Sequence, residues 1–219
     1  MVSRLRCFIG GILFCFFTSS FALHATENDD LVKAMMEVYA EELAANPQDY
    51  RTYYSRAMAY FGQGDMKKAL SDIDNAIKYF PRKEKDDLAQ AYLLRAKILS
   101  ERGEAKSALT DLNSALRLVP NHRLALKDRG DLLCRLGQYD MAKIDYNHLL
   151  RMDTRSQSAF MGLARVEAHT GQPVRAKDLL AQAVNLSPKD PKIYLERSEI
   201  YKEMDMMPEA VDFSHIVLS

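Results

Sequence analysis

From Leu31 onward the chain places apolar residues at a helical period. Leu31, Met35, Val38, Tyr39 and Leu43 recur at i, i+4 and i+7, the spacing that gathers side chains on one face of an amphipathic helix. This predicts a leading helix over 31–46, capped by Asn28 or Asp29. Asn46-Pro47 would end it, because a residue before proline is pushed out of the helical region. The pattern reads as a lone helix whose apolar face covers the next element. Between Asp49 and Pro81 the pattern becomes a hairpin. Tyr53, Ala57 and Tyr60 define one helical face, residues 62–65 a turn, and Ala69, Ile73, Ala76 and Ile77 the face of a second helix that Pro81 stops.

The hairpin then returns. Ala69, Ala108, Ala142, Ala176 and Ala210 are separated by 39, 34, 34 and 34 residues, and the residue five before each is Gly64, Gly103, Gly137, Gly171 or Asp205. A fixed period of this size means stacked units. The second unit carries Tyr92, Ala96, Leu99, Leu112, Ala115 and Pro120 in register. The third carries Leu126, Gly130, Leu133, Tyr146 and Leu149, with Thr154 in place of the proline. The fourth has Phe160, Ala164, Leu180, Ala183 and Pro188, but Glu167 stands where tyrosine or leucine is expected. The fifth has Tyr194, Ser198 and Tyr201, tolerates Pro208 in the first turn of its second helix, and stops inside that helix. The five extra residues of the first interval fall within 82–87, as a loop or as an added turn on the following helix. This stretch reads as a solvated charged turn, with a partner contact as the alternative. Small residues recur because crossing helices leave no room at the contact, so a bulky replacement at Ala69 should overpack at a cost of roughly 1–3 kcal/mol.

With Tyr53, Ala57, Tyr60, Ala69, Ile73, Ala76 and Pro81 matched in register through five copies, the chain resembles the tetratricopeptide repeat family over about residues 31–219. The resemblance implies an all-α fold, a right-handed superhelical solenoid of about eleven helices. Its repeats would run at about 50–83, 89–122, 123–156, 157–190 and an incomplete 191–219. It also implies a function, the capture of a protein or peptide partner in the concave groove lined by the first helix of each repeat. The groove positions would be Arg51, Tyr54, Met58 and Phe61, then Gln90, Leu93 and Lys97, then Lys127, Asp131 and Arg135. In the last two repeats they would be Met161, Arg165, His169, Leu195, Glu199 and Lys202. Tyr54, Met58, Phe61 and Leu93 would form an apolar half suited to an apolar anchor on a peptide or helix, unless the leading helix fills it. The family's carboxylate clamp is not matched, because Tyr54 and Met58 stand where its first Lys and Asn would be.

The first 25 residues are of another kind. Arg4 and Arg6 precede an apolar run from Cys7 to Phe17, and Ser20-Phe21-Ala22 offers small residues at the positions a signal peptidase reads. This predicts a secretory signal peptide over 1–25 and a periplasmic or envelope-associated protein, with an uncleaved anchor as the alternative. Thirty basic residues balance thirty acidic ones, and only Arg4 and Arg6 leave with the signal, so no basic face invites nucleic acid. Cys134 would then be the lone thiol, buried and inert. The histidines lack zinc-site spacing, the glycines form no phosphate loop, and no nucleophile, base and acid group stands out, so neither catalysis nor a cofactor is expected.

Arg56, Arg95 and Arg129 share one repeat position, and Asp72, Asp111 and Asp145 follow each by sixteen residues. That spacing joins the two helices of a hairpin and predicts an Arg–Asp pair in each, replaced by Leu163 and Leu179 in repeat four, while Arg197 faces Phe213 and breaks the rule in repeat five. Partly exposed pairs would contribute roughly 0–1 kcal/mol. The functional expectation is a non-catalytic exported scaffold, with a role in assembling a cell-envelope complex. The alternative is a sensory or regulatory segment of a longer signalling protein or enzyme. Ile216, Val217 and Leu218 make no polar cap, so the C-terminal helix is expected to dock on a second copy or to continue.

Overall fold

The computed structural model describes residues 24–205, with side chains from Leu31 on. The segment 1–23, the second helix of the fifth repeat with Pro208 and Ala210, and the apolar end at 216–218 lie outside the described residues. Two units are distinguished, 1–47 and 48–219.

The first unit contributes one helix, α1 (His24–Ala45). It opens seven residues before the predicted start, so Asn28 and Asp29 lie inside the helix instead of capping it. The reason is local: the stretch from His24 to Asp30 has no glycine or proline to stop a helix. Among the described residues no helix is long and apolar enough to cross a membrane.

The second unit is built of successive helical hairpins: α2 (Tyr50–Gly62) with α3 (Met66–Tyr79), α4 (Lys85–Glu101) with α5 (Ala105–Leu118), α6 (Arg123–Arg135) with α7 (Tyr139–Met152), and α8 (Gln157–His169) with α9 (Pro173–Leu186). The first helix of a fifth hairpin, α10 (Pro191–Glu203), follows. Each hairpin packs on the next, the solenoid arrangement in which a unit buries its apolar face on its neighbour. Asp49, Asp65 and Asp190 cap their helices by accepting a backbone N–H, and Pro173 and Pro191 occupy first-turn positions where a missing N–H costs nothing. The extra residues of the first interval become an added turn, since α4 has 17 residues against 13 in the other first helices of this unit. The charged stretch is also engaged within the chain: the Tyr50 hydroxyl donates to Glu84 at 2.6 Å, and Arg51 lies 3.6 Å from it.

The recurrent alanines are where the helices meet. Ala57, Ala69, Ala76, Ala108, Ala115, Ala142, Ala164, Ala176 and Ala183 are fully buried. The residue five before each repeat alanine has a different task. Gly64, Gly103, Gly137 and Gly171 have φ of 71–79°, and Asp205 has φ of 58°. Each ends a first helix in the left-handed region. The N–H of the next residue in the four glycine turns bonds five residues back, as Asp65 N to Tyr60 O at 2.9 Å. A Cβ at Gly137 would meet nothing within 4 Å, so its substitution isolates the backbone term. Gly137→Ala is expected to lower stability by about 1 kcal/mol, and Asp205→Gly to raise it by a smaller amount. Urea titrations followed by circular dichroism would measure both, and a neutral Gly137→Ala would refute this account of the turn.

The predicted Arg–Asp pairs are formed, and they are deeper than the sequence suggested. Arg56, Arg95 and Arg129 each donate two hydrogen bonds to Asp72, Asp111 and Asp145 at 2.6–2.8 Å. The aspartate side chains are only 2–6% exposed. A contribution of 0–1 kcal/mol belongs to solvated pairs and does not apply to carboxylates this buried. Arg95 also donates to Asp74 on α3, and Arg129 to Asn113 on α5, so each of these guanidiniums joins three helices and fixes one repeat against the preceding one. Tyr92 lies beneath Arg95, and Tyr53 and Tyr60 flank Arg56. In repeat four Leu163 is buried and Leu179 packs against the same cluster.

Candidate functional site

The first helices of the five repeats converge on one cavity of about 600 Å³. Phe61 at the end of α2 closes one side. Lys97, Ser100 and Glu101 come from the last turns of α4, Asp128, Asp131, Leu132 and Arg135 from α6, Arg165 and His169 from α8, and Glu203 from the end of α10. The floor is apolar, with Ala96 and Leu112 of the second repeat beneath it. Volumes of several hundred Å³ suit a ligand or an inserted chain segment.

Of the predicted groove residues, Phe61, Lys97, Asp131, Arg135, Arg165 and His169 line this cavity, whereas Arg51, Tyr54, Met58, Gln90 and Lys127 do not. Arg51 is exposed over the Tyr50 ring, Tyr54 is half-buried against the first-repeat core, and Met58 is exposed. Gln90 is hydrogen-bonded to His122 at 2.9 Å. Leu93 is corrected outright: it is 3% exposed and belongs to the core, as does Met161 at 4%. Its position on α4 turns it inward between repeats, which removes one member of the expected apolar half. The cavity is therefore centred on repeats two to four, with charged side chains around an apolar floor.

One wall depends on a buried tyrosine. Tyr146 of α7 is fully buried and inserts where α6 has Gly130 and α8 has Gly162. A Cβ at either glycine would overlap its ring, at 2.8 Å and 2.2 Å. The ring thus fills the space that two missing side chains leave, and its hydroxyl stays buried behind the cavity residues Asp131 and Cys134. There it donates to Asp131 Oδ1 at 2.7 Å and lies 3.9 Å from Cys134 Sγ. Burial, with the Asp131 charge beside it, pushes the phenol far above its ordinary range, so it keeps the proton that it donates to Asp131. The other oxygen of Asp131 accepts from Lys127 Nζ at 2.7 Å. Burial likewise raises the Cys134 thiol, which keeps it protonated and unreactive.

Glu167, out of pattern in the sequence, is buried and accepts from Lys143 of α7 at 2.8 Å, with Arg175 of α9 at 3.7 Å. It ties three helices where other repeats use an apolar residue. Its departure from the repeat pattern was the signal available in the sequence, and its two partners were not. At the far end of the cavity His169 stacks on Tyr139, with ring centroids 5.1 Å apart, and faces Glu203 at 3.2 Å.

A family model described as tetratricopeptide repeat matches residues 36–84, 54–123 and 127–191. Among solved structures, a tetratricopeptide repeat protein from Parabacteroides merdae is similar at 26% identity and a TM-score of 0.75, over 88% of this chain and 74% of that one. MamA is similar at 17% identity and 0.65, covering 80% and 99%. YrrB, described as having an unusual peptide-binding site, is similar at 18% identity and 0.61, covering 82% and 94%. No curated protein matches the sequence.

Proposed function

Because the chain belongs to the tetratricopeptide repeat family, we propose that it is a non-catalytic binding module whose concave groove takes a protein or peptide partner. One observation carries this reading: first helices from five successive repeats contribute side chains to a single cavity of about 600 Å³. A surface assembled from so many repeats suits an elongated segment laid across them. Phe61 supplies an apolar contact at one end, and the charged side chains of α4, α6 and α8 fix orientation. The amino-terminal pattern of Arg4, Arg6 and an apolar run supports export, and a partner in the cell envelope follows from that address.

A photo-crosslinking residue placed at Glu101, on the groove, is expected to capture the partner in cell-envelope extracts. The same residue at Val174, exposed on the second helix α9, is expected to capture none. Crosslinks from Val174 alone would overturn the groove assignment. Phe61→Ala should weaken capture several-fold while leaving helicity intact, in line with the loss of one aromatic contact. Amino-terminal sequencing of the mature protein tests export, since an intact Met1 would exclude a cleaved signal.

A further inference from the structure

The cations of the cavity differ from the structural arginines of the same protein. Arg56, Arg95 and Arg129 are each saturated by a bidentate carboxylate. In the cavity, Arg135 spends a hydrogen bond of 2.7 Å on a neutral hydroxyl, Ser100 Oγ. Arg165 Nε is buried without a hydrogen-bond partner and sits 3.5 Å from Glu203, and Lys97 is 3.8 Å from Asp128. Charge-assisted bonds run at about 2.7–2.9 Å, so none of these three cations has a carboxylate at full bonding distance. The cavity's carboxylates are engaged to different degrees. Asp131 accepts from Lys127 and Tyr146, Glu101 lies exposed at the rim, and Asp128 Oδ2 is buried without a hydrogen bond, 3.8 Å from Lys97.

We propose that the groove selects an extended segment carrying two or more acidic side chains, read by Lys97, Arg135 and Arg165 on three successive repeats, with Glu203 as an internal carboxylate competing for Arg165. The proposal rests on the groove reading above and adds the chemistry of the ligand. Acidic side chains are favoured over a chain terminus because the cations are contributed one per repeat, by α4, α6 and α8, which matches carboxylates recurring along a segment. Two planar guanidiniums supply forked donors that fit a carboxylate in two-point contact. Ala96, Leu112, Leu132 and Phe61 accept the intervening apolar atoms.

Fluorescence polarisation with labelled twelve-residue peptides tests this. The probe is an amidated glycine-serine peptide bearing three spaced Glu, with Gln and Lys counterparts and a Gln counterpart ending in a free acid. The Glu peptide should bind about tenfold tighter than the Gln peptide, and Arg135→Ala and Arg165→Ala should each remove about two- to threefold of that preference. Glu203→Gln should tighten the Glu peptide several-fold and leave the Gln peptide unchanged, a gain that misfolding cannot produce. Equal binding of the Gln or Lys peptides, no binding of the Glu peptide at millimolar concentration, or indifference to both arginine variants would overturn the proposal. A response confined to the free acid would overturn the assignment to side chains. If Glu101 crosslinks a partner while the Glu peptide fails, only the charge assignment falls. Failure of the crosslink removes the groove reading itself.

Discussion

Replacing Arg129 by alanine is expected to destabilise the protein by roughly 3–5 kcal/mol, while replacing Arg129 and Asp145 together by leucine costs much less. Alanine at 129 would remove both hydrogen bonds from a carboxylate that is 2% exposed, leaving a buried charge unpaired. The double leucine variant removes the charge along with its partner. Repeat four already carries that solution, with Leu163 and Leu179 at the same two positions, packed into the core. The bond from Arg129 to Asn113 contributes less, because that contact is exposed. Guanidinium titration of the two variants, followed by circular dichroism, measures the difference. An Arg129→Ala variant within about 1 kcal/mol of the parent would show that water reaches Asp145, and the deep pairing would be refuted. Because hairpins couple mainly to their neighbours, the loss should be greatest for probes in repeats two to four.

The second large effect is expected at Gly162. An added Cβ would sit 2.2 Å from Cε1 and 2.3 Å from Cζ of Tyr146. The ring has no retreat, since it is fully buried and its hydroxyl is tied to Asp131. Gly162→Ala should therefore cost about 3 kcal/mol or more, at the upper end for overpacking. Combining it with Tyr146→Leu, which shortens the side chain, should recover part of the loss, with a coupling of about 1–3 kcal/mol in a double-mutant cycle. Additive effects would mean that α8 shifts away from the ring, and the insertion would not be rigid. The same pair also alters the cavity, because loss of the Tyr146 hydroxyl frees one oxygen of Asp131.

Much of this fold is legible along the chain for a physical reason. A repeat writes each local requirement several times, so Ala69, Ala108, Ala142 and Ala176 mark the helix contacts and the glycines five residues earlier mark the left-handed turns. Asp205 shows the value of position over residue type, since it adopts the same backbone region without being glycine. The start of α1 was misplaced because a single helix has no second copy to fix its register. The energy of the Arg–Asp pairs was underestimated because sixteen-residue spacing gives the partner and says nothing of depth. For the groove, position within the repeat assigned Phe61, Lys97, Asp131, Arg135, Arg165 and His169 to the side where the cavity lies. It misassigned Leu93, whose side chain turns inward between repeats.

The sequence by itself determined the hairpins, their register, the small residues at their crossings and the identity of each Arg–Asp pair. All of these depend on spacing within or between repeats, which the linear order contains. Only the tertiary structure decided which cations have a carboxylate at full bonding distance, that Arg95 and Arg129 also hold the preceding repeat, and that Tyr146 passes between two glycines to meet Asp131. It also placed a cavity over repeats two to four, away from the expected apolar N-terminal half. Those features depend on which side chains from different repeats fill the same space. That is set by packing, in which the side chain absent at Gly130 or Gly162 matters as much as the one present at Tyr146.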